Sequence, residues 1–203
     1  MTDLIATCVL PAENHLGESP IWCERRQRLF WVDTRAPLIW WFEPASGTSG
    51  TVPVPEMIGS IGFVAGEDRL LAALETAFWL VDLETGKLEP FASPGDVPAG
   101  HRFNDGRVDR AGRFWCGTMN TGDRSPTGSL YRLDPDGRVE RFFNGIVVPN
   151  STAWSPDGRR MYFADTYRYQ IQVFDFDLEA GRLGPDRVLV DLTGRPGRPD
   201  GST

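Results

Sequence analysis

Residues 160–181 read RMYFADTYRYQIQVFDFDLEAG, and this stretch decides the fold. An arginine opens an apolar run (160–166), a second apolar run follows (171–177), and Gly181 closes a polar turn. The same grammar occurs three times upstream. RLFWVDT, RLLAALET and RFWCGTM start at Arg28, Arg69 and Arg113, so the four arginines are spaced by 41, 44 and 47 residues. Their second runs, LIWWFEPASG, AFWLVDLETG and SLYRLDPDG, close on Gly47, Gly86 and Gly137. A glycine behind Asp, Glu, Pro or Ser supplies the positive φ and side-chain-to-backbone bonds of a hairpin turn.

Working outward, a short run follows each turn: TVPVP, KLEPF, RVERFF and RVLV. Another precedes each arginine: SPIWC, SIGFVAG, DGRVDR and STAWSP. Four short strands in roughly 40–50 residues is the period of a propeller blade. No stretch carries an apolar period of 3.6 over three turns. A sandwich or barrel also uses many short strands, but neither calls for one four-strand unit to recur four times. The expectation is an all-β chain, a single β-propeller domain over 1–203 holding about four blades. Residues 199–203, PDGST, resemble the opening of a fifth unit. The segment Ile5–Leu10 reads as a strand suited to completing a blade. On this reading the chain is C-terminally incomplete, Asp200 is held only by a metal, and a polypeptide limited to 1–203 folds poorly.

Composition narrows the function. Lys and Arg number 21 against 28 Asp and Glu, a net charge of −7 that repels phosphate backbones and argues against a nucleic-acid partner. The 22 Gly and 16 Pro suit many tight turns. No apolar run reaches the roughly 18–20 residues of a membrane span, and the opening MTDLIATCVL lacks a basic leader region. Three cysteines, odd in number and without a CxxC pair, favour a reduced, cytoplasmic setting. Cys116, inside a strand, reads as an inert buried thiol.

Polar residues stand where each innermost strand should enter the central channel. Glu18 lies in LGESP, Asn104 in RFNDG, Asn150 in VPNS, and Asp200 in the fifth start. Unit two brings Met57-Ile58-Gly59-Ser60 instead, a wall without ligands. Two carboxylates with side-chain amides around one axis suit a divalent cation, whose charge makes their burial tolerable. Singly, an Asn or Asp beside Pro or Gly is more often only a turn residue; recurrence at one phase of a repeat tips the balance to a site. His15 and His101 read as exposed loop histidines, and Trp40, Trp41 and Trp115 as packing between blades. No GxSxG, HExxH, GxxxxGK[ST] or GxGxxG pattern is present, which removes the usual serine-hydrolase, zincin and nucleotide readings.

LGESPIW (16–22), RFNDGRVDRAGRFWCGTM (102–119), GSLYRLDPDG (128–137), PNSTAWSPDGRRMYFADT (149–166) and PDGS (199–202) together resemble the SMP-30/gluconolactonase/luciferin-regenerating-enzyme family. The resemblance implies a six-bladed propeller with one divalent metal in its channel. Carried over by position, it implies Glu18, Asn150 and Asp200 as metal ligands and Arg102 and Asn104 as substrate contacts. Ser151 departs from the family's common PNG, and Asp123 is the nearest candidate for an acidic substrate contact after GTM. The implied activity is metal-dependent hydrolysis of a sugar lactone to the aldonic acid, with Asp200 as general base. Ca²⁺ ranks first as the cofactor, ahead of Mg²⁺, Mn²⁺ or Zn²⁺. Two alternatives stay open: a non-enzymatic calcium-binding scaffold, and a related metal-dependent ester or phosphotriester hydrolase.

Overall fold

The structure, a computed structural model, describes residues 5–203. It holds four antiparallel sheets of four strands, each strand hydrogen-bonded to the next in sequence. Blade one comprises β1 (Gly17–Cys23), β2 (Arg28–Asp33), β3 (Leu38–Glu43) and β4 (Thr48–Pro53). Blade two comprises β5 (Ser60–Phe63), β6 (Arg69–Ala73), β7 (Phe78–Asp82) and β8 (Leu88–Ala92). Blade three comprises β9 (His101–Val108), β10 (Phe114–Asn120), β11 (Gly128–Leu133) and β12 (Val139–Ile146). Blade four comprises β13 (Pro149–Trp154), β14 (Arg160–Asp165), β15 (Gln170–Asp177) and β16 (Arg182–Asp191), with one 3₁₀ turn at Thr166–Arg168. The first strands β1, β5, β9 and β13 touch in that order, so they line the axis and the fourth strands lie outside.

Hairpin chemistry sets these units. Gly47, Gly86, Gly137 and Gly181 all carry positive φ, between 62° and 89°, as the turn reading requires. The arginine runs become the second strands and the outer runs the fourth, although β16 begins at Arg182, well before the RVLV that suggested it. Residues 5–10 form no strand: Ile5 and Val9 are exposed, and none of the four sheets among the described residues includes this segment.

Apolar alternation fills the space between blades. Val32, Ile39, Ile58, Ile61, Leu70 and Val81 form one cluster between blades one and two. Phe78, Phe103, Phe114 and Tyr131 form the next, and Trp115, Leu130, Met161, Phe163 and Phe176 the third. Trp115 therefore sits between blades as expected, and Trp41 packs on the first cluster. Trp40 departs from expectation: it stacks on Trp31 of its own sheet at 5.6 Å, because the register sets the two residues opposite one another. Among the described residues no helix is long and apolar enough to cross a membrane. Cys8, Cys23 and Cys116 are free thiols, the last two buried.

Candidate functional site

Glu18, Arg102, Asn104 and Asn150 lie inside the first strands rather than ahead of them, and Asp200 lies in the segment after β16. Register makes their equivalence explicit. Ile21, Gly62, Arg107 and Ala153 pair with Phe30, Leu71, Trp115 and Tyr162, each two residues beyond its repeat's arginine. Three residues before them stand Glu18, Gly59, Asn104 and Asn150. Matching phases in four blades thus bring Glu18, Asn104 and Asn150 to one level of the channel. Strands β1, β9 and β13 each carry an extra residue here, a bulge between Glu18 and Ile21, Phe103 and Gly106, and Asn150 and Ala153. Strand β5 pairs without a shift. Bulges re-aim side chains beside active sites, and the one regular strand is the one without a polar group at that phase.

Gly59 explains the wall of blade two. A Cβ there would stand 2.5 Å from the carbonyl oxygens of Phe103 and Asn104. Only glycine lets the backbone of β9 approach this closely.

The residue after each site position latches onto the neighbouring blade or, from blade four, onto the segment 200–202. Ser19 Oγ accepts from the Ile61 N–H at 3.2 Å, and Asp105 Oδ2 accepts from the Thr152 N–H at 2.8 Å. Ser60 Oγ lies 3.4 Å from Cys116 Sγ. Ser151 Oγ donates to the Asp200 carbonyl and accepts from Ser202 Oγ at 2.8 Å. Ser19 and Ser151 hold φ of 52° and 58°, the left-handed region that β-strand residues rarely enter.

Two aspartates fix the approach to these strands. Asp33 accepts from the N–H groups of His15 and Leu16 at 2.8 and 3.1 Å, and Asp165 from those of Val147 and Val148 at 2.9 and 3.1 Å. Burial alone would raise the Asp33 carboxyl, but its backbone donors outweigh that and hold it below the usual range.

Arg102 is buried, and its Nη1 donates to the Phe103 carbonyl and to Asn104 Oδ1, both at 2.8 Å. Asn104 Nδ2 in turn donates to the Pro149 carbonyl at 2.9 Å. Burial lowers the Arg102 pKa from its ordinary value, opposed chiefly by the charge of Glu18. Asn150 Nδ2 donates to Thr166 Oγ1 at 2.7 Å, and Thr166 spends its proton on the Pro199 carbonyl at 2.9 Å. Asp200 is therefore not held only by a metal. The chain around it is tied through Pro199 to Thr166 and through its own carbonyl to Ser151, while its carboxylate stays exposed.

Glu18 is half-buried and accepts no hydrogen bond from the described residues. Burial first, then the charges of Asp200 and Asp105, push its carboxyl up to about 7 against a smaller opposing pull from Arg102. Asp105 is raised too, mainly by burial. Sequence reading passed over Asp105, although it sits inside the quoted RFNDG; its signal was a second carboxylate directly after a site position. Glu18 and Asp105 line a cavity of about 880 Å³ with Ser19, Gly201 and Ser202.

Other candidates resolve differently. His101 is buried in β9, its Nε2 2.8 Å from Thr127 Oγ1, because β9 begins earlier than the DGRVDR run. His15 is exposed as expected. Asp123 is exposed and caps its own loop, accepting from the Ser125 N–H at 2.9 Å. Burial drives the Cys116 thiol far above its ordinary value, consistent with an inert group.

Among the described residues no three His, Cys, Asp or Glu side chains gather into a metal cage. A cation here would have to draw on an amide as well as on carboxylates. The donors fit one: carboxylate oxygens of Glu18 and Asp200, an Asn150 oxygen turned away from Thr166, and no nitrogen or sulfur. That set suits a hard divalent ion, whose charge would offset both the burial that chiefly lifts Glu18 and the repulsion from Asp200 and Asp105 that adds to it.

Comparison with known proteins follows the same lines. The SMP-30/Gluconolactonase/LRE-like region family matches residues 16–203. Regucalcin of Bos taurus is 31% identical over 207 residues, covering 99% of this chain and 69% of that protein. The 6-deoxy-6-sulfogluconolactonase of Pseudomonas putida is 34% identical over 197 residues, covering 96% of this chain and 67% of that protein. A crystal structure of a calcium-binding protein, regucalcin, from Agrobacterium tumefaciens superimposes with a TM-score of 0.90 at 30% identity. That match covers 96% of this chain and 65% of the other, so the chain spans about two thirds of these relatives' length.

Proposed function

The chain belongs to the SMP-30/gluconolactonase/LRE-like family, and from that membership we propose that it takes part in metal-dependent hydrolysis of a sugar lactone to the aldonic acid. The observation that carries the reading is the convergence of Glu18, Asn104 and Asn150 at one phase of three bulged strands, with Asp200 tethered beside them. On this reading Glu18, Asn150 and Asp200 hold one divalent cation, Ca²⁺ in first place for its preference for oxygen donors. When bound, such an ion supplies Lewis acidity toward the lactone carbonyl.

The chain's own residues do the rest. Asn104 keeps one N–H and lone pairs free after its bonds to Arg102 and Pro149, and it contacts the lactone's hydroxyls. Arg102 adds its uncommitted guanidinium N–H groups and, by gripping Asn104 Oδ1, fixes the amide's orientation. Asp200, pinned through its backbone with its carboxylate exposed, takes the proton from the attacking water. Burial around Glu18 and Arg102 lowers the local dielectric and strengthens these contacts.

The same reading takes the four blades as part of a six-bladed ring in one domain, working in the cytoplasm on a small lactone. Relatives named gluconolactonase and sulfogluconolactonase support the substrate class, and the regucalcin relatives support calcium. The test is hydrolysis of glucono-1,5-lactone before and after chelation. Activity lost with chelator and restored by Ca²⁺ is expected; full activity in metal-free protein overturns the mechanism. Arg102→Ala separates the enzyme from a calcium-binding scaffold: lost turnover with retained calcium binding favours the enzyme.

A further inference from the structure

Beside the proposed site, three loops bring two arginines onto one tyrosine. The guanidinium carbon of Arg198 lies 4.2 Å from the Tyr167 ring centre and 5.2 Å from that of Tyr169. Arg124 lies 4.7 Å from the same Tyr167 ring. Arg198 Nε donates to Tyr169 Oη at 2.9 Å. Among the described residues neither Arg124 nor Arg198 has an ion-pair partner, whereas neighbouring Arg168 is bound to Asp165 at 3.3 Å. From this arrangement we propose that Arg124, Tyr167, Tyr169 and Arg198 form a rim platform that recognises a phosphate or sulfonate group on the substrate. The preferred lactones are then anionic sugar lactones rather than neutral ones. The proposal rests on the lactonase reading and names its substrate class.

Position along the chain puts the platform at the mouth. Tyr167 follows Thr166, which holds both Asn150 and Pro199. Arg198 precedes Asp200 by two residues. Arg124 sits in the loop after β10, whose last residue, Asn120, pairs with His101 next to Arg102. Thr121 ties that loop to the Gly100 carbonyl at 2.8 Å.

The chemistry suits an oxyanion. A guanidinium stacked on an aromatic face keeps its edge N–H groups directed outward, in the fork that matches phosphate or sulfonate oxygens. Arg198 spends one of its five donors on Tyr169, and the Tyr169 hydroxyl keeps its own proton to give. Two nearby carboxylates are engaged elsewhere, Asp123 with the Ser125 N–H and Asp165 with the Val147, Val148 and Tyr167 N–H groups. Asp200, two residues from Arg198, keeps an exposed carboxylate but makes no ion pair with it among the described residues. Arg124 and Tyr169 both hold left-handed backbone, φ 55° and 58°, a conformation costly for such side chains.

Calorimetry on the calcium-loaded protein tests this with 6-phosphogluconate, 6-deoxy-6-sulfogluconate and gluconate, in wild type and in Arg124→Gln/Arg198→Gln. Wild type should bind one or both charged acids about tenfold more tightly than gluconate, the two arms telling phosphate from sulfonate. The double variant should keep less than about a threefold preference. Equal binding of all three by wild type, or a preference that survives the double substitution, overturns the platform. Turnover of the corresponding lactones separates the two readings. A charged-acid preference without hydrolysis of any lactone keeps the anion site and overturns the lactonase. Hydrolysis without charge preference does the reverse.

Discussion

Asn150 donates through Nδ2 to Thr166 Oγ1 at 2.7 Å, and this bond decides which way the amide faces. Thr166 has one proton, already given to the Pro199 carbonyl, so toward Asn150 it can only accept. The amide nitrogen must therefore point at Thr166, leaving Oδ1 free for the cation proposed above. The same hydroxyl positions the segment leading to Asp200.

Thr166→Val should remove both bonds while keeping the side chain's shape. Calcium affinity should fall by about tenfold, the loss of roughly one well-placed hydrogen bond. Thr166→Ser should restore most of it. Titration of the purified variants with calcium measures the effect, and unchanged affinity in Thr166→Val would refute the orienting role.

Gly59→Ala places a methyl 2.5 Å from two backbone oxygens of β9, where no side chain can swing aside. Destabilisation of about 1–3 kcal/mol is expected, read by urea denaturation. Because the strain falls on Asn104, kcat/KM should drop even where the variant is folded.

Asp105→Ala deletes the acceptor for the Thr152 N–H and with it the latch between blades three and four. The cost should be about 1–3 kcal/mol, that of a buried donor left without a partner. Asp105→Asn retains an acceptor oxygen but removes a negative charge near Glu18. It should be milder in stability, and the pKa of Glu18 should fall. A thermal melt of both variants, with an NMR titration of Glu18, checks the pair.

Glu18 at about 7 predicts a pH-dependent metal affinity. A carboxyl whose folded pKa lies above its unfolded value favours the folded metal-free protein at low pH and loses that contribution as pH rises through about 7. Cation binding needs the ionised form, so it must expel this proton below that pH and need not above it. Calcium should bind more tightly at pH 8 than at pH 6, with proton uptake by buffer seen calorimetrically at pH 6. Affinity independent of pH over this range would contradict the burial of Glu18 and its repulsion by Asp200 and Asp105.

The three thiols should separate cleanly. Cys8 is exposed and should react with a thiol reagent in native protein, whereas buried Cys23 and Cys116 should react only on unfolding.

Much of this protein was legible in its residues. The recurring arginine runs and glycine turns specify four-stranded units because alternation and turn chemistry are local, and local rules repeat wherever the residues do. Glu18, Asn104 and Asn150 could be found by their phase in that repeat. What the chain alone could not decide depends on contacts between blades. His101 is buried because β9 reaches back to it, and Trp40 stacks within its sheet because register faces it to Trp31. Asp105 matters because blade four presents the Thr152 N–H to it. Asp200 is anchored because Thr166 and Ser151, some 34 and 49 residues earlier, reach across to its segment. Hydrogen bonds of that span are set by how blades pack around the axis, and no local pattern encodes them.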